Sequence, residues 1–225
     1  TYTYQWQRNE SGSWTNISGA TSSTYTLGDA DVNKQLRVAA SYTDLHGTTE
    51  TVTSNATSAI VNINDPPIGF TVSISGTTIE DQILVGTVGS IIDADGVGAL
   101  NYQWQRYNTG TSVWDNISGA TSLSYTLGDA DISKQLRLKA YYTDGNGTLE
   151  TAYSTPTAPI TNINDAPAGV PTLSGTQTEG QTLTANMSGV SDADGLGTFS
   201  YQWQRSTDGG TSWANISGAT NATYT

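Results

Sequence analysis

The pentapeptide Tyr-Gln-Trp-Gln-Arg occurs at Tyr4–Arg8, Tyr102–Arg106 and Tyr201–Arg205, and long stretches recur around it. Asn-Ile-Ser-Gly-Ala-Thr begins at Asn16, Asn116 and Asn215, Leu-Gly-Asp-Ala-Asp at Leu27 and Leu127, Asn-Ile-Asn-Asp at Asn62 and Asn162, and Asp-Ala-Asp-Gly at Asp93 and Asp192. A period of about 100 residues is the size of a small domain rather than of a solenoid turn, so each copy should own a core. Counting between successive Asn-Ile-Asn-Asp segments divides the chain into 1–65, the rear part of one copy, 66–165, a complete copy, and 166–225, the front part of a third. The sequence reads as a window on a longer polypeptide.

Within a copy the hydrophobic period is two. Leu136, Leu138, Ala140 and Tyr142 fall on one face of Gln135–Tyr142, and Gln135, Arg137, Lys139 and Tyr141 on the other. That is the signature of a half-buried strand. The same alternation runs through Leu100–Gln105 and Leu183–Met187, with turn residues between and no helical periodicity. About seven short strands per copy should pack as a two-sheet sandwich.

Composition removes several function classes. Twenty acidic and eight basic residues give a net charge of -12, with 12% charged residues and no cysteine. Without a basic stripe, nucleic acid is not an expected partner. Folding must rest on the core or on metal, since there are no disulfides. No apolar run approaches the ~18 residues that would insert into a membrane. Catalytic signatures are also missing: no Gly-x-Ser-x-Gly elbow, no phosphate-cradling loop, and a single histidine, His46, that reads as a loop residue. Ser206–Trp213 fits an Asp-box pattern, which is itself a hairpin motif with Asp capping the turn. The sequons at Asn16, Asn116, Asn146 and Asn215 read as products of Asn, Ser and Thr richness.

The order of signals resembles an immunoglobulin-like domain. Gln181–Ala185 would be strand B, the Trp104 segment strand C, Ser124–Leu127 strand E and Gln135–Thr143 strand F. Trp6, Trp104 and Trp203 would be buried strand-C tryptophans, and Leu84 or Leu183 with Val38 or Leu138 would stand where antibody domains carry a disulfide. In that topology, loops from the end of one copy and the start of the next meet at the linker. Glu80, Asp129 and Asp131, the linker residues Asn164 and Asp165, and Asp192 and Asp194 would then converge, as would Asp29, Asp31, Asn64, Asp65, Asp93 and Asp95 at the preceding linker, with Glu179 the counterpart of Glu80. Hard cations such as Ca2+ take about 6 to 8 oxygen ligands of this kind. Two readings of each Asp-Ala-Asp-Gly stay open, because Asp and Gly also form ordinary turns.

A Glu before strand B, an Asp-x-Asp turn, an Asn-Asp linker followed by Pro, and an Asp-Ala-Asp in the next copy resemble the calcium-bridged junctions of cadherins. The whole repeat, with Glu179–Ala185, Ser191–Gly197, Tyr201–Ser206 and Tyr142–Gly145, is similar to the Ig-like or cadherin-like repeats of very large bacterial surface adhesins of the RTX type. The resemblance implies an all-β chain of sandwiches arranged head to tail as a rod. It implies Ca2+ at the junctions, neighbouring repeats as partners, an extracellular bacterial cell-surface location, and a role in adhesion or biofilm formation as a non-enzymatic extender. A segment of an extracellular filament or sheath, with other copies as partners, and a carbohydrate-binding module are the alternatives.

Overall fold

Repetition of one strand pattern in sequence becomes repetition of one sheet in space. The computed structural model describes residues 1–225 and is all-β, its only helical pieces being single 3-10 turns at Asp29–Asp31 and Asp129–Asp131. Contacts divide it into two compact units, one of Thr1–Ser75, Val85–Tyr125 and Arg137–Pro156, the other of Gly76–Leu84, Thr126–Leu136 and Thr157–Thr225.

In the first copy, β1 (Thr3–Glu10), β2 (Ser13–Asn16), β3 (Leu36–Thr43) and β4 (Thr49–Thr53) form an antiparallel sheet in the order β2-β1-β3-β4. The middle copy contributes β5 (Val72–Ser75), β6 (Ile83–Val88), β7 (Asn101–Asn108), β8 (Val113–Asn116), β9 (Ser124–Thr126), β10 (Leu136–Thr143) and β11 (Leu149–Tyr153). They make two sheets, β5-β6-β9 and β11-β10-β7-β8. This is the A-B-E and G-F-C division of an immunoglobulin-type sandwich, with β8 as the added C′ strand. The third copy has β12 (Thr172–Ser174), β13 (Leu183–Asn186) and β16 (Thr223–Tyr224) in one sheet, and a hairpin of β14 (Gln204–Arg205) and β15 (Ala214–Asn215).

The strands expected from the period-two pattern are present: β9, β10 and β13 lie within a residue or two of the segments assigned to E, F and B. Along β10 the alternation is literal, with Leu136, Leu138, Ala140 and Tyr142 all at 0% exposure. Trp104 is also at 0%, its ring 5.7 Å from Tyr125 of the opposite sheet and its Nε1 donating to the Ser122 carbonyl at 2.9 Å. Trp6 and Trp203 depart from the expectation of burial: each is only half-buried. Trp6 stacks on Tyr25, yet residues 1–65 hold a single sheet with no second one over it. Trp203 lines an open groove of about 490 Å3 together with Leu173, Met187, Tyr201 and Trp213.

Gly86 shows how closely the middle sandwich packs. A Cβ there would lie 2.1 Å from Leu138 Cδ2, so an alanine would have to displace that buried methyl. Trp104→Ala should lower stability by about 3–5 kcal/mol and Gly86→Ala by about 1–3 kcal/mol. Trp6→Ala should cost clearly less than Trp104→Ala. Urea unfolding followed by tryptophan fluorescence checks the order; equal losses for the two tryptophans would contradict it.

Candidate metal centre

Each Leu-Gly-Asp-Ala-Asp segment closes a 3-10 turn in which the second Asp folds back on the chain. Asp31 Oδ2 accepts the Gly28 N–H at 3.0 Å, and Asp131 Oδ2 accepts the Gly128 N–H at 3.0 Å; both carboxylates are fully buried. Asp31 also receives the Arg8 guanidinium at 2.6 Å and the Tyr25 hydroxyl at 3.1 Å. Burial works against its ionised form, but the Gly28 N–H, Arg8 and Tyr25 outweigh it and hold its pKa below the ordinary value. Asp31 and Asp131 are thus turned inward, while Asp29 and Asp129 stay on the exposed side of the turn.

One group of candidate ligands is brought together. Glu80, Asp129 and Asp165 each present a carboxylate oxygen within 4.8 Å of the others. Glu80 precedes β6, is 1% exposed, and is anchored by its main chain, whose N–H donates to the Thr161 carbonyl at 2.9 Å. Its Oε2 accepts the Ile163 N–H at 3.3 Å, whereas its Oε1 is buried with no hydrogen-bond partner. Contact with Asp129, then burial, then the charges of Asp129 and Asp165 push the Glu80 pKa upward against one opposing N–H. Asp165 is pushed upward by burial and then by Asp129, Asp194, Asp81 and Asp192. An all-oxygen set with an unpartnered buried atom fits a hard divalent cation of the Ca2+ or Mg2+ type.

The other candidates are placed differently. Asp192 and Asp194 act on Asp165 through charge, and Asp194 Oδ2 accepts the Asp165 N–H at 2.8 Å. At the preceding linker, Asp95 Oδ2 accepts the Asp65 N–H at 2.9 Å, and Asp93 Oδ2 accepts the Tyr142 hydroxyl at 2.5 Å. The Asp65 N–H, working against burial and with the Asn62 and Asn146 side chains, lowers the Asp95 pKa. Asn64 Nδ2 donates to Glu150 Oε1 at 2.9 Å, Asn164 Nδ2 to the Asp165 carbonyl at 2.8 Å, and Glu179 is exposed.

Sequence reasoning missed Asp81, whose charge reaches Asp165. Its φ of +63° matches the +80° of Gly180 in the next copy, so alternation of Asp with Gly marked a turn and hid the charge. Asp208, in the Asp-box segment, is consumed by its own turn. It accepts from the Ser206 and Ser212 hydroxyls at 2.8 and 2.6 Å and from the Thr211 and Ser212 N–H groups at 3.1 and 2.9 Å, which lowers its pKa to about 2.

A family model described as Domain of unknown function (DUF8696) matches residues 170–225. A comparison with curated proteins returned no match. Among solved structures, the chain is similar to domains from titin at 16% identity, over 72% of this chain and 55% of that one, with a TM-score of 0.31. It is also similar to a tetra-tandem repeat in the extending region of a large adhesion protein, at 18% identity over 99% of this chain and 57% of that one, with a TM-score of 0.27. The chain spans just over half the length of each.

Raised carboxyl pKa values give a signed prediction. For Glu80 and Asp165 the protonated form favours the folded state, so their contribution is present in full below the ordinary carboxylate range near ~4 and is lost as pH rises through the raised folded values. With divalent ions chelated, Glu80→Gln should therefore melt with the wild type near pH ~4 and above it at pH ~7. A wild type that melts above Glu80→Gln at neutral pH in chelator would contradict this.

Proposed function

We propose that this chain is a structural extender segment of a large extracellular bacterial adhesin, stiffened at its repeat junctions by Ca2+. The observation that carries the reading is Glu80: a buried carboxylate oxygen with no donor, beside two further carboxylates from the following turn and the linker, in a chain whose junction residues recur. Leaving such an atom unmatched is costly. Calcium supplies the positive charge that lets these oxygens stay ionised at close range.

The chain's own residues do the rest. Glu80 is tied by its main chain to Thr161, on the approach to the linker, and Asp129 stands on the turn that leads to β10. Asp165 is part of the linker, so drawing its carboxylate toward Glu80 and Asp129 fixes the linker to the middle copy. Without that attraction the three carboxylates repel, and Asp165 is released from the middle copy. Pro167, and Pro66 and Pro67 at the preceding linker, restrict the backbone on the far side. The net charge of -12 opposes lateral association of like chains.

The carbohydrate-binding alternative needs open aromatic faces. Trp114 and Tyr153 are both covered by the Arg137 guanidinium, at 4.5 and 4.2 Å, and Tyr141 by Lys139 at 4.7 Å. These three rings are occupied by the chain's own cations; the open aromatic face is Trp213, 60% exposed beside the groove at Trp203, and it is the place where that alternative would have to act.

Saturating Ca2+ should raise the melting temperature of the wild type relative to chelator, because a ligand that binds only the folded state stabilises it by mass action. Glu80→Gln and Asp129→Asn should each abolish most of the rise while keeping the fold. Calorimetric melting with and without Ca2+ makes the test; an undiminished rise in Glu80→Gln would sink the assignment of this site.

A further inference from the structure

The Asp-Ala-Asp-Gly turn also contacts the linker main chain. At both linkers its second Asp accepts a hydrogen bond from the linker main chain: Asp65 N–H to Asp95 Oδ2 at 2.9 Å, and Asp165 N–H to Asp194 Oδ2 at 2.8 Å. Two independent copies therefore hold the same atom of the same linker residue. The turn is preformed for the task. Asp93 Oδ1 accepts the Asp95 N–H at 2.9 Å, Asp192 Oδ1 accepts the Asp194 N–H at 3.0 Å, and the glycines that follow, Gly96 and Gly195, both have φ of +93°. Beyond the contact each linker runs into an antiparallel bridge with the same repeat, Ile68 with Ile92 and Ala168 with Ser191.

Partners separate Asp95 from Glu80. Asp95 is 7% exposed, and its other oxygen accepts the Asn146 side-chain amide at 2.9 Å, so both oxygens have donors. Glu80 Oε1 has none. On the other side of the second linker, Ile79 bridges Thr161, and the Ile163 N–H reaches Glu80 Oε2. Between that attachment and the Asp165 N–H lies only Asn164, which is exposed and turned onto its own neighbour.

We infer that Asp95 and Asp194 are positioning residues: they capture the linker N–H of Asp65 and Asp165 without metal, dock the linker on the downstream repeat, and aim the Asp165 carboxylate toward Glu80 and Asp129. The aiming rests on the cation site proposed above; the docking does not. When the cation is withdrawn, the linker stays with the downstream repeat, and the pivot is Asn164.

Amide hydrogen exchange of the 225-residue chain in chelator, with parallel calorimetric titration by Ca2+ alone, tests it. In chelator the wild-type Asp165 amide should exchange about tenfold or more slowly than an unstructured reference, the scale of one hydrogen bond. Asp194→Ala should lose that protection and weaken Ca2+ binding about tenfold, whereas Asp194→Asn, which keeps an acceptor oxygen, should retain most of both. An unprotected Asp165 amide in wild-type chelated protein would overturn the inference. So would Asp194→Asn losing Ca2+ affinity as fully as Asp194→Ala, which would make Asp194 a ligand. If no variant or wild type binds Ca2+ but the protection pattern holds, the docking role stands and the cation site falls.

Discussion

Everything at the second junction depends on one electrostatic constraint: three carboxylates within 4.8 Å of each other, one of them shielded from water and short of a donor. Removing a charged oxygen from water without a partner is among the most unfavourable arrangements in a folded chain, and like charges nearby compound it. Such a site is a poor contributor to stability by itself. It becomes useful where its occupancy by a proton or a cation sets whether two segments stay together. Glu80 and Asp129 lie on turns of the middle copy and Asp165 on the linker that leaves it, so under the proposed reading the same charges that destabilise the cluster would set whether the linker is held to the middle copy.

The three copies form an internal comparison. Nearly identical strand sequences give Trp104 at full burial and Trp6 and Trp203 half-buried, because residues 1–65 and 166–225 each carry only part of a copy while 66–165 carries both sheets. The middle copy sets two sheets face to face around Trp104, Tyr125 and Tyr142. Propensity and alternation are enough to form the strand; tertiary cover is what turns a tryptophan from an amphipathic ring into a core.

Much of this was legible from the sequence. Period two in Leu136–Tyr142 identified β10 and its inward face, and the recurrence of acidic motifs at one period pointed to the linker as the place to look. Less legible was the division of labour among carboxylates of the same motif. Nothing local to Leu-Gly-Asp-Ala-Asp says that Asp31 will meet Arg8, a residue 23 positions away, while Asp129 remains free to face Glu80. Nor does Asp-Ala-Asp-Gly disclose that its second Asp grips a main-chain N–H from the linker. Ligand-like residue types were picked out by spacing; their partners are set by topology, which brings residues 80, 129 and 165 together from two turns and the linker.

The most direct test of the cation site is a crystal structure of the chain grown with Ca2+ and recorded for anomalous scattering. The account predicts a Ca2+ ion within about 2.3–2.6 Å of Glu80, Asp129 and Asp165 oxygens, with Asp194 still bonded to the Asp165 N–H. Glu80 and Asp129 sharing a proton at saturating Ca2+, with no anomalous density between them, would contradict it.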